Sequence, residues 1–253
     1  AALAAAATAL AATAGPYSDL WSDPAEPGWG VSVNQQLDTA FVTLYVHDAE
    51  GRPTWYVASD ARITAYSAGG LPLFTGTLYR TRGPWHGGPF DPRAVQVVPV
   101  GEVSLELLAR DRMRVHYAAE GARVVKEVGR QTFQEAYVAG TYAGKFMLRQ
   151  SRPGEAPYGT LRYEGDLVVH VDSGRGFVRV DDALGRRCEY RGEYRQSGKL
   201  GTLSGTFTCT SGDPASGTFQ LTDFELSEHG LSGALRTFSP TRNESGRFAA
   251  VRY

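Results

Sequence analysis

Long apolar runs, lysine, cysteine and helical periodicity are all scarce in this chain of 253 residues. No segment reaches the roughly 18 consecutive apolar residues that a membrane-spanning helix needs. The nearest approach is the N-terminal AALAAAATALAATA, residues 1–14. Lysine occurs only at Lys126, Lys145 and Lys199, so the 26 basic residues are nearly all arginine; against 27 acidic residues they leave a net charge of -1, with no long run of either sign. Phosphate backbones are bound by clustered positive charge, which disfavours a nucleic-acid partner. The five histidines, His47, His86, His116, His170 and His229, show neither His-x-His nor His-Glu-x-x-His spacing, so no metal and no cofactor is expected. Gly-x-Ser-x-Gly and phosphate-cradling glycine loops are missing as well. Glu26, Asp48 and Glu50 could in principle supply a glycosidase pair, but solvated turn residues are the plainer reading.

Beyond residue 16 the recurring pattern has period two, broken by Gly, Pro, Asp and Asn, which identifies an all-β protein. In the first half the alternation predicts strands near residues 30–36, 40–47, 54–59, 62–66, 73–80, 94–100, 103–109, 112–118 and 123–132. The second half gives 137–148, 159–171, 177–181, two strands around the cysteines, 218–226, 231–238 and 245–252. Two blocks of about eight short strands fit two consecutive small antiparallel barrel-like domains. The expected division is residues 1–16, a signal-peptide remnant or a retained N-terminal helix; 17–133, a tryptophan-rich domain; and 134–253, a cysteine-containing domain. TGTLYRT at 75–81 echoes SGALRT at 232–237, each in a late strand of its block.

The two cysteines, Cys188 and Cys209, flank a stretch whose Ser197-Gly198-Lys199-Leu200 reads as a two-residue hairpin turn with glycine first. Counting outward from a Ser197–Leu200 pair sets Cys188 opposite Cys209 on a non-hydrogen-bonded rung, where side chains approach most closely. A disulfide fits there and agrees with an oxidising compartment. Two reduced cysteines packed as small apolar groups are the alternative. Tyr190, Tyr194, Leu203 and Phe207 share the cysteines' face and form the expected core; Glu189, Arg191, Glu193, Arg195, Thr202, Thr206 and Thr208 face water.

All four tryptophans, Trp21, Trp29, Trp55 and Trp85, lie in the first block. Two stand either side of a Pro/Gly-rich bend in DLWSDPAEPGWGVSVNQQ. One reading is a latch: Trp29 enters the barrel on the face of Val31 and Val33, Trp21 covers the open end, and Glu26 holds the bend by accepting backbone hydrogen bonds. The other is a stacking platform for a sugar or flat ligand, because indole has a large rigid face and one N–H donor. The latch is preferred for Trp29, and Trp55 is likewise read as structural. Trp21 and Trp85 stay open as ligand or partner residues. Trp85, His86 and Phe90 sit in the loop RTRGPWHGGPFDPR, of the length and aromatic content that binding loops often have; a compact loop packed by its own Trp85 and Phe90 is the alternative. Tyr45 and Tyr56 join them as candidates, since both faces of 40–47 and 54–59 carry large apolar groups and look covered, by the second domain or by another protein.

WSDPAEPGWGVSV, FVTLYVHDAEGRPTWYVAS and GTLYRTRGP together resemble a module of exported proteobacterial proteins with a Trp, a Pro-x-Glu-x-Gly-Trp-Gly core and a later Gly-x-Pro-x-Trp-Tyr. The resemblance spans Asp19 to Phe133, closing on GRQTF, and departs from the usual pattern at Asp23 and Pro27, where Asn and Ser are expected. It implies an exported β-rich module and carries over no activity. The resulting expectation is a non-catalytic, periplasmic or extracellular binding or assembly module, not an enzyme. Its partner would be another envelope protein, a glycan or a small apolar ligand, with no membrane span once a signal is removed. A carrier of a small apolar or aromatic ligand in a barrel mouth is the runner-up, and a glycan-active enzyme comes third.

Overall fold

A computed structural model of the protein describes residues 16–172, 174–227 and 229–253; the expected signal remnant falls almost wholly outside them. The chain divides between Gln131 and Thr132 into two units. In the first, β1 (Asp19–Ser22), β2 (Gly30–Gln36), β3 (Thr39–His47), β4 (Pro53–Tyr66), β5 (Pro72–Arg82), β6 (Gln96–Leu107), β7 (Arg112–Ala119) and β8 (Ala122–Arg130) follow one another as a closed antiparallel barrel. In the second, β9 (Val138–Ser151), β10 (Gly159–Asp172), β11 (Arg175–Asp182), β12 (Arg187–Ser197), β13 (Leu200–Cys209), β14 (Ser216–Ser227), β15 (Gly230–Phe238) and β16 (Asn243–Arg252) do the same. The protein is therefore all-β, with two consecutive eight-stranded barrels. Among the described residues no helix is long and apolar enough to cross a membrane, a statement that does not bear on strands.

The first block departs from its expected strands in two ways. β1 was not expected, because DLWS is too short to show an alternation, and it is the strand that closes the barrel through Trp21 opposite Arg130 and Ser22 opposite Gly129. Residues 54–59 and 62–66, expected as two strands, form the single strand β4, and 94–100 with 103–109 merge largely into β6. Bulges explain both. β4 shifts register against β3 between Ala40 and Val42, and β6 absorbs Val100 where β5 steps from Leu78 to Tyr79. A bulge looks like a strand break in sequence because it interrupts the alternation by one residue while the ladder continues. The echo between 75–81 and 232–237 also loses its meaning, since one lies in the fifth strand of its barrel and the other in the seventh.

Side-chain alternation fills both interiors. Trp21, Leu44, Phe74, Leu78, Leu105 and Met113 occupy the axis of the first barrel. Tyr142, Leu148, Leu167, Leu203 and Phe219 occupy that of the second. These are packed cores, as barrels of this strand number allow.

The cysteine hairpin holds its expected register, with Ser197 opposite Leu200 and Cys188 opposite Cys209. Gly198 takes φ 58°, as the first position of such a turn demands. The cysteines are bonded across a Cα–Cα distance of 4.1 Å. Tyr190, Tyr194, Leu203 and Phe207 are buried beside them. Reduction should cost the second barrel about 3 kcal/mol, through the entropy that the closed loop removes from the unfolded chain. Thermal melts with and without reductant, on protein whose thiol state is read by alkylation and intact mass, check this; identical melts of bonded and reduced protein would contradict it.

Candidate functional site

Because consecutive hairpins alternate ends, the segments after β1, β3, β5 and β7 all emerge at the same end of the first barrel. Four stretches of sequence that look unrelated, 23–29, 48–52, 83–95 and 120–121, form one crown there. Each is held by its own short-range bonds. Glu26 N–H donates to Asp23 O (3.0 Å) and Trp29 N–H to Glu26 O (3.2 Å). Gly28 adopts φ 92°, a backbone conformation that side chains other than glycine rarely take, so the Gly-Trp-Gly element needs its first glycine for its backbone. In the next turn the Asp48 carboxylate accepts from the N–H groups of Glu50 (3.1 Å) and Arg52 (2.8 Å) and from Arg52 Nε (2.8 Å). The Arg52 backbone bond, ahead of its guanidinium, holds Asp48 below its ordinary pKa.

Below the crown the inward side chains satisfy one another. Trp29 is half-buried against the core; its Nε1–H donates to Tyr117 Oη at 3.3 Å and Lys126 Nζ stands 5.2 Å from its ring centroid. Lys126 also pairs with Glu26, so that carboxylate reaches across to β8 and does not cap the bend as expected. Tyr56 is buried, and its hydroxyl donates to Glu120 Oε2 at 2.8 Å, while Arg80 pairs with the other carboxylate oxygen. Burial first, and the Glu120 carboxylate second, push the Tyr56 phenol up to about 12. The Tyr56 hydroxyl is thus already engaged within the barrel.

Trp21 is engaged in the same way. It is 0% exposed, its Nε1–H donates to Tyr17 O at 3.2 Å, and the Arg130 guanidinium lies 4.5 Å from its ring centroid. The inward position of the expected latch thus belongs to Trp21, with Trp29 covering the end, the reverse of the expected roles. Trp21 sits in a strand, in register with an inward Arg130, whereas Trp29 precedes the first residue of β2 and lies at the rim.

The expectation for Trp55 also fails. It is 54% exposed, on the outer wall opposite the half-exposed Tyr45, and Phe41 projects from the same face of β3. Val42, Leu44, Val46, Tyr56 and Ala58 take the inner face, so only one face of these strands is covered. Adjacent Trp55 and Tyr56 must point to opposite faces of a strand, and the alternation alone did not say which was outside. Past Arg82 and Gln96, the 83–95 loop carries Trp85 at 73% and Phe90 at 71% exposure, with His86 exposed between them. Trp85 folds over its own turn, where Gly88 N–H donates to Trp85 O at 3.1 Å and a Cβ on Gly87 would come within 2.5 Å of the indole. The Asp91 side chain caps the following 3-10 turn (Pro92–Ala94) through Arg93 N–H at 3.0 Å. Tyr45, Trp85, His86 and Phe90 therefore share one exposed end, joined by the unexpected Trp55.

A general acid needs a carboxyl raised toward neutrality, yet Asp48 is lowered and Glu50 pairs with Arg52 (2.8 Å). Among the described residues no group of three or more His, Cys, Asp and Glu side chains could hold a metal ion. A groove of about 530 Å³ on the outer wall of β5–β8 includes Ser104 opposite His116, with no hydrogen bond between their side chains among the described residues.

No family model and no curated protein matches the chain. Among solved structures it is similar to the isotype 1 transferrin binding protein B (TbpB) from serogroup B Neisseria meningitidis, with 8% identity over 89% of this chain and 66% of that chain, and a TM-score of 0.32. Nothing about function follows from similarity at that level.

Proposed function

We propose that this protein is a non-catalytic, exported binding module of the bacterial envelope and that the aromatic end of its first barrel meets a protein partner. The observation that carries the reading is the outward Trp55–Tyr45 pair at the same end as Trp85 and Phe90, above inward polar groups that are already paired. Large aromatics left in water are what interface anchors look like, and arginine is the other residue enriched in such anchors; Arg52 is exposed in the crown and Arg93 beside Phe90. The bonded cysteines and the small, uncharged residues 1–14 support export. So does the resemblance of residues 19–133 to an exported module. A glycan is the second reading, favoured by the free indole face of Trp55.

Trp55→Ala should weaken binding to a pulled-down partner by about 2 kcal/mol, roughly 30-fold, while its stability stays within about 0.5 kcal/mol of wild type. Affinity measurements beside thermal melts read the two effects separately. Binding unchanged in Trp55→Ala and Trp85→Ala alike would remove the crown as the partner surface, and selective retention of a neutral glycan on an array would replace the protein partner with a sugar.

A further inference from the structure

Sequence order scatters the arginines of the second block, but the register of its barrel gathers several on one wall. Met147 on β9 lies opposite Arg162 on β10 and opposite Arg247 on β16. Two residues along, Arg149 lies between Thr160 and Ser245, and Ser245 is in turn opposite Arg236 on β15. All four arginines are exposed, on four adjacent strands. Strands stand about 4.8 Å apart and diagonal neighbours about 7 to 8 Å, so Arg149 has Arg162 and Arg247 as diagonal neighbours and Arg236 roughly 10 Å away. Arg247 shares Asp223 at 3.4 Å and nearby Lys145 shares Glu164 at 2.9 Å. Arg149, Arg162 and Arg236 have no carboxylate partner among the described residues. The wall forms a groove of about 1050 Å³, lined by four basic side chains against one carboxylate.

We propose that this groove binds an anionic saccharide, a sugar polymer bearing sulfate, phosphate or carboxylate groups, laid across β15, β16, β9 and β10. Like charges gathered on one face repel each other unless an anion sits among them, and guanidinium forks match such oxyanions with paired hydrogen bonds. The rest of the lining suits a sugar. Thr160, Ser232 and Ser245 offer hydroxyls, and Met147, 58% exposed, offers a flat apolar spot between the arginines. The aromatic rings of the lining, Phe146, Tyr163 and Phe248, are stacked on one another within the barrel wall, with centroids 4.6 and 5.2 Å apart. That leaves no exposed ring on which a nucleic-acid base could stack. Met147 is also the single large apolar side chain exposed in the lining, too little to enter a lipid layer. With a net charge of -1 the whole chain offers no general attraction to polyanions, so binding must come from this wall.

The test uses the full chain with dextran sulfate and polygalacturonate as probes, neutral dextran as reference, and vesicles rich in anionic phospholipid as the competing surface. Wild type should bind at least one of the two charged polymers, more weakly as salt rises from about 0.05 to 0.15 M, and leave neutral dextran alone. Arg149→Gln with Arg162→Gln should weaken that binding about 10-fold or more, and Met147→Glu should do the same by placing a carboxylate in the centre. Arg191→Gln with Arg195→Gln changes the net charge equally but sits on β12, and should weaken it less than about 2-fold. Failure to bind either charged polymer, equal losses in the two arginine pairs, or binding to the vesicles alone would each overturn the proposal.

Discussion

Trp21→Ala should destabilise the first barrel by about 3 to 5 kcal/mol, a large share of the roughly 5 to 15 kcal/mol that holds a domain together. Trp21 is fully buried, so the substitution empties most of an indole's volume from a packed interior and also removes the N–H that donates to the Tyr17 carbonyl. It does so at the thinnest seam of the barrel. β1 meets β8 through two residue pairs, Trp21 with Arg130 and Ser22 with Gly129, extended by Gln131 N–H to Leu20 O at 2.8 Å. Trp29→Ala should cost visibly less, because the rim indole is only half-buried and solvent can replace its one bond to Tyr117. Denaturant titrations of both variants measure the difference. A Trp29→Ala loss equal to or above that of Trp21→Ala would restore the original assignment of the latch.

Arg130→Ala should be comparably severe, again about 3 to 5 kcal/mol, because it strands the largely buried Asp19 carboxylate. The Arg130 side chain is fully buried and divides its donors three ways: Nη1 to Asp19 Oδ2 at 2.9 Å, Nε to Arg110 O at 2.7 Å, and Nη2 to Pro16 O at 2.6 Å. Lysine cannot aim at three such partners from one planar group, so Arg130→Lys should recover little. Asp19→Asn combined with Arg130→Met should recover much more, since it removes both charges and keeps the bulk against Trp21. The losses in Trp21→Ala and Arg130→Ala should not add, as the two groups stack on each other. Urea melts of these variants and of the Trp21→Ala/Arg130→Ala double decide this. Wild-type stability in Arg130→Ala would mean that β1 does not close the barrel in solution.

The two halves of the candidate surface were legible to different degrees. Trp85, His86 and Phe90 stood out because a long loop with aromatics cannot bury them all, and the structure leaves them exposed. Trp55 did not, although the adjacent pair Trp55-Tyr56 required one ring to face outward. The missing information was the face, which depends on residues of other strands, such as Phe74 and Leu78, joining the interior. Trp21 was misread for a related reason: its burial is set by Arg130, 109 residues later, which no local pattern connects to it.

Local pattern by itself determined the all-β class, the two blocks of strands, and the hairpin that pairs Cys188 with Cys209. A period of two and a two-residue turn are properties of consecutive residues, and they propagate outward rung by rung. Tertiary structure alone decided which strand closes the first barrel, which tryptophan is inside it, which loops share an end, and that four separated arginines share one wall. Each of these depends on barrel closure and register between strands distant in sequence. A single bulge, as between Ala40 and Val42 or at Val100, shifts that register without leaving a mark that can be told from a break.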